Sequence, residues 1–166
     1  MAVTAKGTPY VESSDLVANY PGVSLALANH IDTIGKVLQV VTKTQTLTTV
    51  TNSTTFVTTG LNITITPRAT TSKILVTFTA NVAQDASNDD TVVAIFRGTV
   101  AGTNLGTFAG VQSSGTNTRV VISPSISDLP STIAATTYTV GFKVSGGTGR
   151  IGVGNTVTMT AMEISA

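Results

Sequence analysis

Cysteine is absent from this 166-residue chain, which excludes disulfide cross-links and thiolate metal sites. The absence also points to synthesis in a reducing compartment. Charge is scarce. Asp, Glu, Lys and Arg make up 10% of the residues, against roughly 25% in an average soluble domain. The nine Lys and Arg are scattered and the net charge is +1, so there is no basic stripe for nucleic acid. The longest aliphatic or aromatic run is Val92–Phe96, far short of the ~20 residues a membrane-crossing helix needs. Met1–Lys6 lacks the apolar core of a signal peptide. The expectation is a soluble chain with no membrane and no nucleic-acid partner.

Chemistry-bearing residues are equally few. His30 is the single histidine, so a zinc site lacks ligands. Asp32 stands only two residues on and falls on another side of a helix, which does not suit a triad. Glycoside hydrolysis requires two carboxyls across a cleft. The two Glu and six Asp instead fall into an N-terminal group (Glu12, Asp15, Asp32), a loop group (Asp85, Asp89, Asp90) and isolated positions. The loop 84–90, Gln-Asp-Ala-Ser-Asn-Asp-Asp, offers oxygens to Ca²⁺ but lacks EF-hand spacing and a bidentate Glu. A solvated turn is its ordinary reading. Gly147-Thr148-Gly149-Arg150-Ile151-Gly152 matches the dinucleotide fingerprint, yet β-rich sequence follows where a helix should, so a glycine hairpin is expected. The sequons at Asn52 and Asn62 are chance products of a Thr-rich chain. No catalytic residue, metal site or cofactor is expected.

What the chain does have is alternation. Leu61, Ile63 and Ile65 share one parity; Ile74, Val76, Phe78, Ala80 and Val82 share another. Period-two spacing puts each set on one face of a strand, and Pro67 with Thr70-Thr71-Ser72 turns the chain between them. Thr42–Thr59 holds ten threonines in eighteen residues, a β-branched stretch that favours extended backbone. Further strands are read at 37–41, 56–58, 61–66, 73–82, 91–97, 118–123, 137–145, 150–153 and 157–164. Connections are read at 85–90, 98–106, 113–117, 124–130 and 146–149. Strands at this spacing make an antiparallel sandwich or barrel. Val92–Phe96 is apolar on both parities, as is the last strand with Met162 and Ile164. One face fills the sandwich, and an identical subunit is the simplest cover for the other. Val93, Ile95, Met162 and Ile164 are the expected subunit contacts.

Residues 1–35 read differently. The first ten are extended, ending at Pro9-Tyr10, and Ser13-Ser14-Asp15 caps a short turn. A helix is predicted over 22–34, closed by Gly35, with Val23, Leu27, Ile31 and Ile34 on one stripe at spacings of four, four and three. Burying those four side chains is worth roughly 6–12 kcal/mol before entropy costs, so the stripe needs a partner surface. Tyr10, Leu16, Tyr20 and Pro21 extend it upstream. The expected organisation is an anchor segment over 1–35 and a β-domain over 36–166.

Two sets of residues carry a family resemblance. The segment Pro9–Ser24, Pro-Tyr-Val-Glu-Ser-Ser-Asp-Leu-Val-Ala-Asn-Tyr-Pro-Gly-Val-Ser, resembles a leader found on virion structural proteins of marine cyanophages and related tailed phages. Residues 37–41, 65–67 running into 72–76, 96–98, 135–138 and 160–164 resemble the C-terminal domains of the same group. The resemblance implies an all-β antiparallel jelly-roll sandwich of the tumour-necrosis-factor and C1q type, with a short N-terminal helical anchor segment. It implies a homotrimer, held by residues 1–35 to other virion proteins of the capsid or tail, and a location in the virion after synthesis in host cytoplasm. Only 36–60 separates anchor from head, too short for a long fibre shaft, which favours a short knob such as a capsid decoration or a stubby tail appendage, with capsid decoration preferred. The alternative is a short tail-fibre or receptor-binding head, with a host-surface glycan as partner. The aromatic-poor, charge-poor loops 98–106 and 113–117 weigh against it. A carbohydrate-active enzyme is the remote alternative.

Overall fold

A computed structural model of the chain describes residues 2–3, 9–10, 22, 24–27, 35–114 and 118–166. Two short strands, β1 (Ala2–Val3) and β2 (Pro9–Tyr10), pair antiparallel. Residues 22 and 24–27 are helical, with Leu25 exposed and Leu27 half-buried. Leu16, Tyr20, Pro21, Val23, His30, Ile31 and Ile34 lie outside the described residues, as does the side chain of Tyr10.

Nine strands then follow: β3 (Val37–Thr51), β4 (Val57–Ile65), β5 (Lys73–Gln84), β6 (Asp90–Arg97), β7 (Thr103–Gln112), β8 (Thr118–Ile122), β9 (Ser125–Asp128), β10 (Thr136–Val144) and β11 (Gly149–Ile164). They form two antiparallel sheets, in the orders β3-β11-β5-β8 and β4-β10-β6-β7, with β9 also on β5. β8 and β9 occupy one strand position. β8 pairs with Ala80–Gln84, and β9 with Ile74–Thr77. Pro124 breaks the position because it has no N–H to donate, although its carbonyl still accepts from Phe78 N at 3.2 Å. Counting that pair once gives eight strands that cross between sheets at each successive step from β3 to β6 and return in the same pattern. This is the jelly-roll order.

The core is filled by the alternation legible in the sequence. Leu61, Ile63 and Ile65 of β4 and Ile74, Val76 and Phe78 of β5 meet across the gap, joined by Val140, Phe142, Val157 and Met159. Several strand assignments are corrected. The expected breaks at 59–60 and 154–156 fall at irregularities inside continuous strands: β4 leaves its ladder to β10 between Thr58 and Asn62, and β11 leaves its ladder to β5 between Ile151 and Thr158. The Gly146–Gly149 loop does not close a hairpin, because β10 and β11 belong to opposite sheets. Residues 103–112, read partly as loop, are the strand β7. Its apolar residues Leu105, Phe108 and Val111 stand three apart, because bulges at Leu105 and Gly110 reset the parity against β6.

Candidate functional site

The register divides the loops between two poles. β3 begins where β11 ends, with Val37 opposite Ile164. Lys36 N donates to Ser165 Oγ at 2.8 Å and Ser165 N donates to Lys36 O at 2.8 Å. The segment preceding Lys36 therefore departs from the pole that also holds loops 66–72, 98–102 and 129–135. Loops 52–56, 85–89 and 145–148 lie at the far pole, with residues 113–114.

Two buried carboxylates brace the exit pole. Glu163, near the end of β11, has no solvent exposure. Gln39 Nε2 of β3 donates to its Oε2 at 2.6 Å, and Arg68 N of the β4–β5 loop donates to its Oε1 at 2.6 Å. Gln39 Nε2 also donates to Thr66 O at 2.6 Å. Burial pushes the carboxyl pKa up, but the Ser72 hydroxyl, these donors and the Arg68 charge outweigh it and hold the group below the usual glutamate value. The second carboxylate, Asp128 of β9, receives the buried Tyr138 hydroxyl of β10 at 2.8 Å and Arg97 Nη1 of β6 at 3.2 Å. Burial, then the bond to Asp128, raises the Tyr138 pKa, so the phenol stays protonated. This contact ties one sheet to the other.

At the far pole Arg150 grips Asp85 with two contacts of 2.6 and 2.7 Å. The buried Gln84 accepts from Asp85 N at 2.8 Å and donates to Gly146 O at 3.3 Å. Ser145 Oγ donates to Asp89 Oδ1 at 3.2 Å and accepts from Asp90 N at 2.8 Å. A guanidinium thus occupies the place a cation would take on Asp85, which weighs against the calcium reading of this loop. Among the described residues no three His, Asp or Glu side chains converge on a metal-sized centre. A cleft of about 300 Å³ runs along β6 and β7 beside the Gly110 bulge, lined by Asp90, Thr91, Val92, Ala109, Gly110, Val111 and Gln112.

The expected subunit contacts separate into two pairs. Val93 and Ile95 are fully buried in the chain's own core, so they do not face a neighbour. On the opposite parity of β6, Phe96 is covered from within the chain: Phe56 meets it edge-on with ring centroids 5.3 Å apart. Lys143 Nζ stands 5.0 Å above the Phe56 ring. Gly141 makes this possible, since a Cβ there would sit 2.8 Å from the Phe96 ring and 2.9 Å from Val100. An identical subunit is therefore not needed to cover this part of the second sheet. Met162 and Ile164 do lie outward and half-buried on β11.

Sequence reasoning missed the outer face of the β3-β11-β5-β8 sheet. Its signal was present in the T-x-T spacing of 42–48 and 156–160. Thr42 and Thr160 hydroxyls meet across strands at 3.2 Å, Thr44 and Thr158 at 3.3 Å, and Thr79 and Ser123 at 2.8 Å. Toward the exit pole the ladder gives way to an apolar row in which Met162 stands between Val40 and Leu75.

No family model and no curated protein matches the chain. Solved structures similar to it include viral capsid proteins. One is a mutant VP2 protein of infectious bursal disease virus in T=1 particles, with 15% identity over 77% of this chain and 37% of that chain and a TM-score of 0.43. Another is the Gx strain of the same virus, with 15% identity, 80% and 37% coverage and a TM-score of 0.41. A VP2 subviral particle gives 13% identity, 78% and 40% coverage and a TM-score of 0.41. The chain spans about two fifths of the length of these capsid chains. Scores this low carry no inference about what this chain does.

Proposed function

We propose that the protein is a non-enzymatic structural component of a phage virion. It is read as a trimeric jelly-roll knob held to the particle by residues 1–35, with Tyr10, Leu16, Tyr20, Pro21, Val23, Leu27, Ile31 and Ile34 as the particle-facing apolar residues. The observation that carries this reading is the exit geometry. Lys36 is stapled to Ser165, beside the Glu163 brace, so a pull on the preceding segment passes from the edge strand β3 into β11, which is paired on both sides. A rigid root next to an apolar segment suits attachment, and the far pole is left to face outward. Capsid decoration is favoured over a receptor-binding head. The far-pole loops spend their polar groups on one another, as Asn88 N does on Ser113 O at 2.8 Å and Val144 N on Ser53 O at 2.9 Å.

Cryo-electron microscopy of intact particles tests this. Density for the jelly roll on the head, with the Lys36 pole inward, is expected. Density on the tail supports the receptor-binding alternative, and particles without the chain contradict the reading.

A further inference from the structure

We propose that the outer face of the β3-β11-β5 sheet is the contact with a second copy of this chain; the inference rests on the oligomeric knob proposed above and names its surface. From the Val40–Met162–Leu75 row to Asn81 and Thr48, no charged side chain among the described residues lies on this face. Depletion of charge at the centre and apolar anchors are what protein contacts show. Val40 is 54% exposed and Val37, one turn of the pleat nearer the exit pole, 59%. A partner must match hydroxyls without supplying charge. Threonine hydroxyls donate and accept alike, so the surface satisfies another hydroxyl-lined surface. A copy of this chain offers one, being poor in charge and rich in threonine throughout. The three strands, with the uncharged outward residues Val121, Ser125 and Ser127 of the β8–β9 position beside them, span four positions at ~4.8 Å, and the length from Val40 to Thr48 at ~3.3 Å per residue gives a footprint of about 570 Å². That is about seven tenths of the ~800 Å² per partner of a standard stable interface.

The absence of cysteine makes the test clean. Light scattering on the full chain is expected to give a multiple of 16.9 kDa at micromolar concentration. The double variant Thr44→Arg, Thr79→Arg, with both changes at exposed positions, is expected to fall to 16.9 kDa. Ser87→Arg, exposed in a far-pole loop, keeps the wild-type mass. In case the double variant misfolds, Thr44→Cys and Ser87→Cys are reacted with a maleimide at the same concentration. Thr44→Cys is expected to react at least ~10-fold more slowly. An oligomer whose mass survives the double variant, or equal labelling of the two thiols, overturns the contact and leaves the oligomeric knob standing. A monomeric wild type overturns both.

Discussion

Glu163 is the residue on which the exit pole depends. It is an ionised carboxylate removed from solvent, and charge-assisted hydrogen bonds to such a group are worth about 1.5–3 kcal/mol each. Replacing it with glutamine removes the charge and turns one acceptor into a donor facing other donors. Glu163→Gln is therefore expected to cost about 2–4 kcal/mol in chemical denaturation. Its pH dependence has a definite sign. Because the folded-state pKa is lowered, the stabilisation is complete above the unfolded value of ~4.3 and is lost as pH falls through the folded value. Wild-type melting temperature should drop steeply on acidification below about pH 4.5, and the Glu163→Gln variant should lose that component. A variant with the wild-type acid profile would refute the assignment. Tyr138 acts similarly on Asp128. Tyr138→Phe leaves a mostly buried carboxylate short of its shortest donor and should cost about 1–2 kcal/mol by the same measurement.

Strands supply the next level, and β11 has the feature that sequence alone did not disclose. Its register passes from Ile151 opposite Thr49 to Asn155 opposite Leu47, so extra residues bulge from the ladder. Gly152, Val153 and Gly154 all have positive φ, at 84°, 49° and 73°. For valine this is a strained conformation. Thr48 Oγ1 accepts from Gly154 N at 2.6 Å, and Asn155 Nδ2 donates to Gly152 O and Val153 O, holding the bulge in place. Val153→Gly is expected to stabilise the fold by about 1 kcal/mol through relief of that strain. Gly152→Ala should destabilise by at least ~2 kcal/mol, because its Cβ meets the Leu47 carbonyl in a backbone region alanine disfavours. Opposite results would remove the bulge from the account. The bulge explains why 150–164 reads as two strands, since Gly152 and Gly154 break the apolar alternation, and the ladder to β3 resumes only at Asn155 and that to β5 at Thr158. β5 and the Leu61–Ile65 half of β4 were legible because they alternate without interruption. β7 was not, since its bulges shift the parity twice. Among site residues, composition disclosed the scarcity of catalytic groups, but the Glu163 and Asp128 braces join positions distant in sequence that no local pattern connects. Val93 and Ile95 were misread for a related reason. Apolar residues on both parities show that both faces are covered, and not that the cover comes from another chain.

At the scale of the whole molecule, the jelly roll is asymmetric along its long axis. One pole carries the stapled chain exit, the two buried carboxylates and an apolar fringe of Val37, Leu129 and Ile133, each more than half exposed. The far pole closes upon itself through loop-to-loop hydrogen bonds. Among the described residues, the sandwich core draws on those from Val41 to Ala161. A chain beginning at Lys36 should therefore fold, with a melting temperature within several degrees of the full protein. Particle binding by that truncated chain tests the central claim most directly. Purified full-length protein is expected to bind virions lacking it, whereas the Lys36–Ala166 protein, shown to be folded by circular dichroism, should not. Equal binding by the two proteins would contradict attachment through residues 1–35.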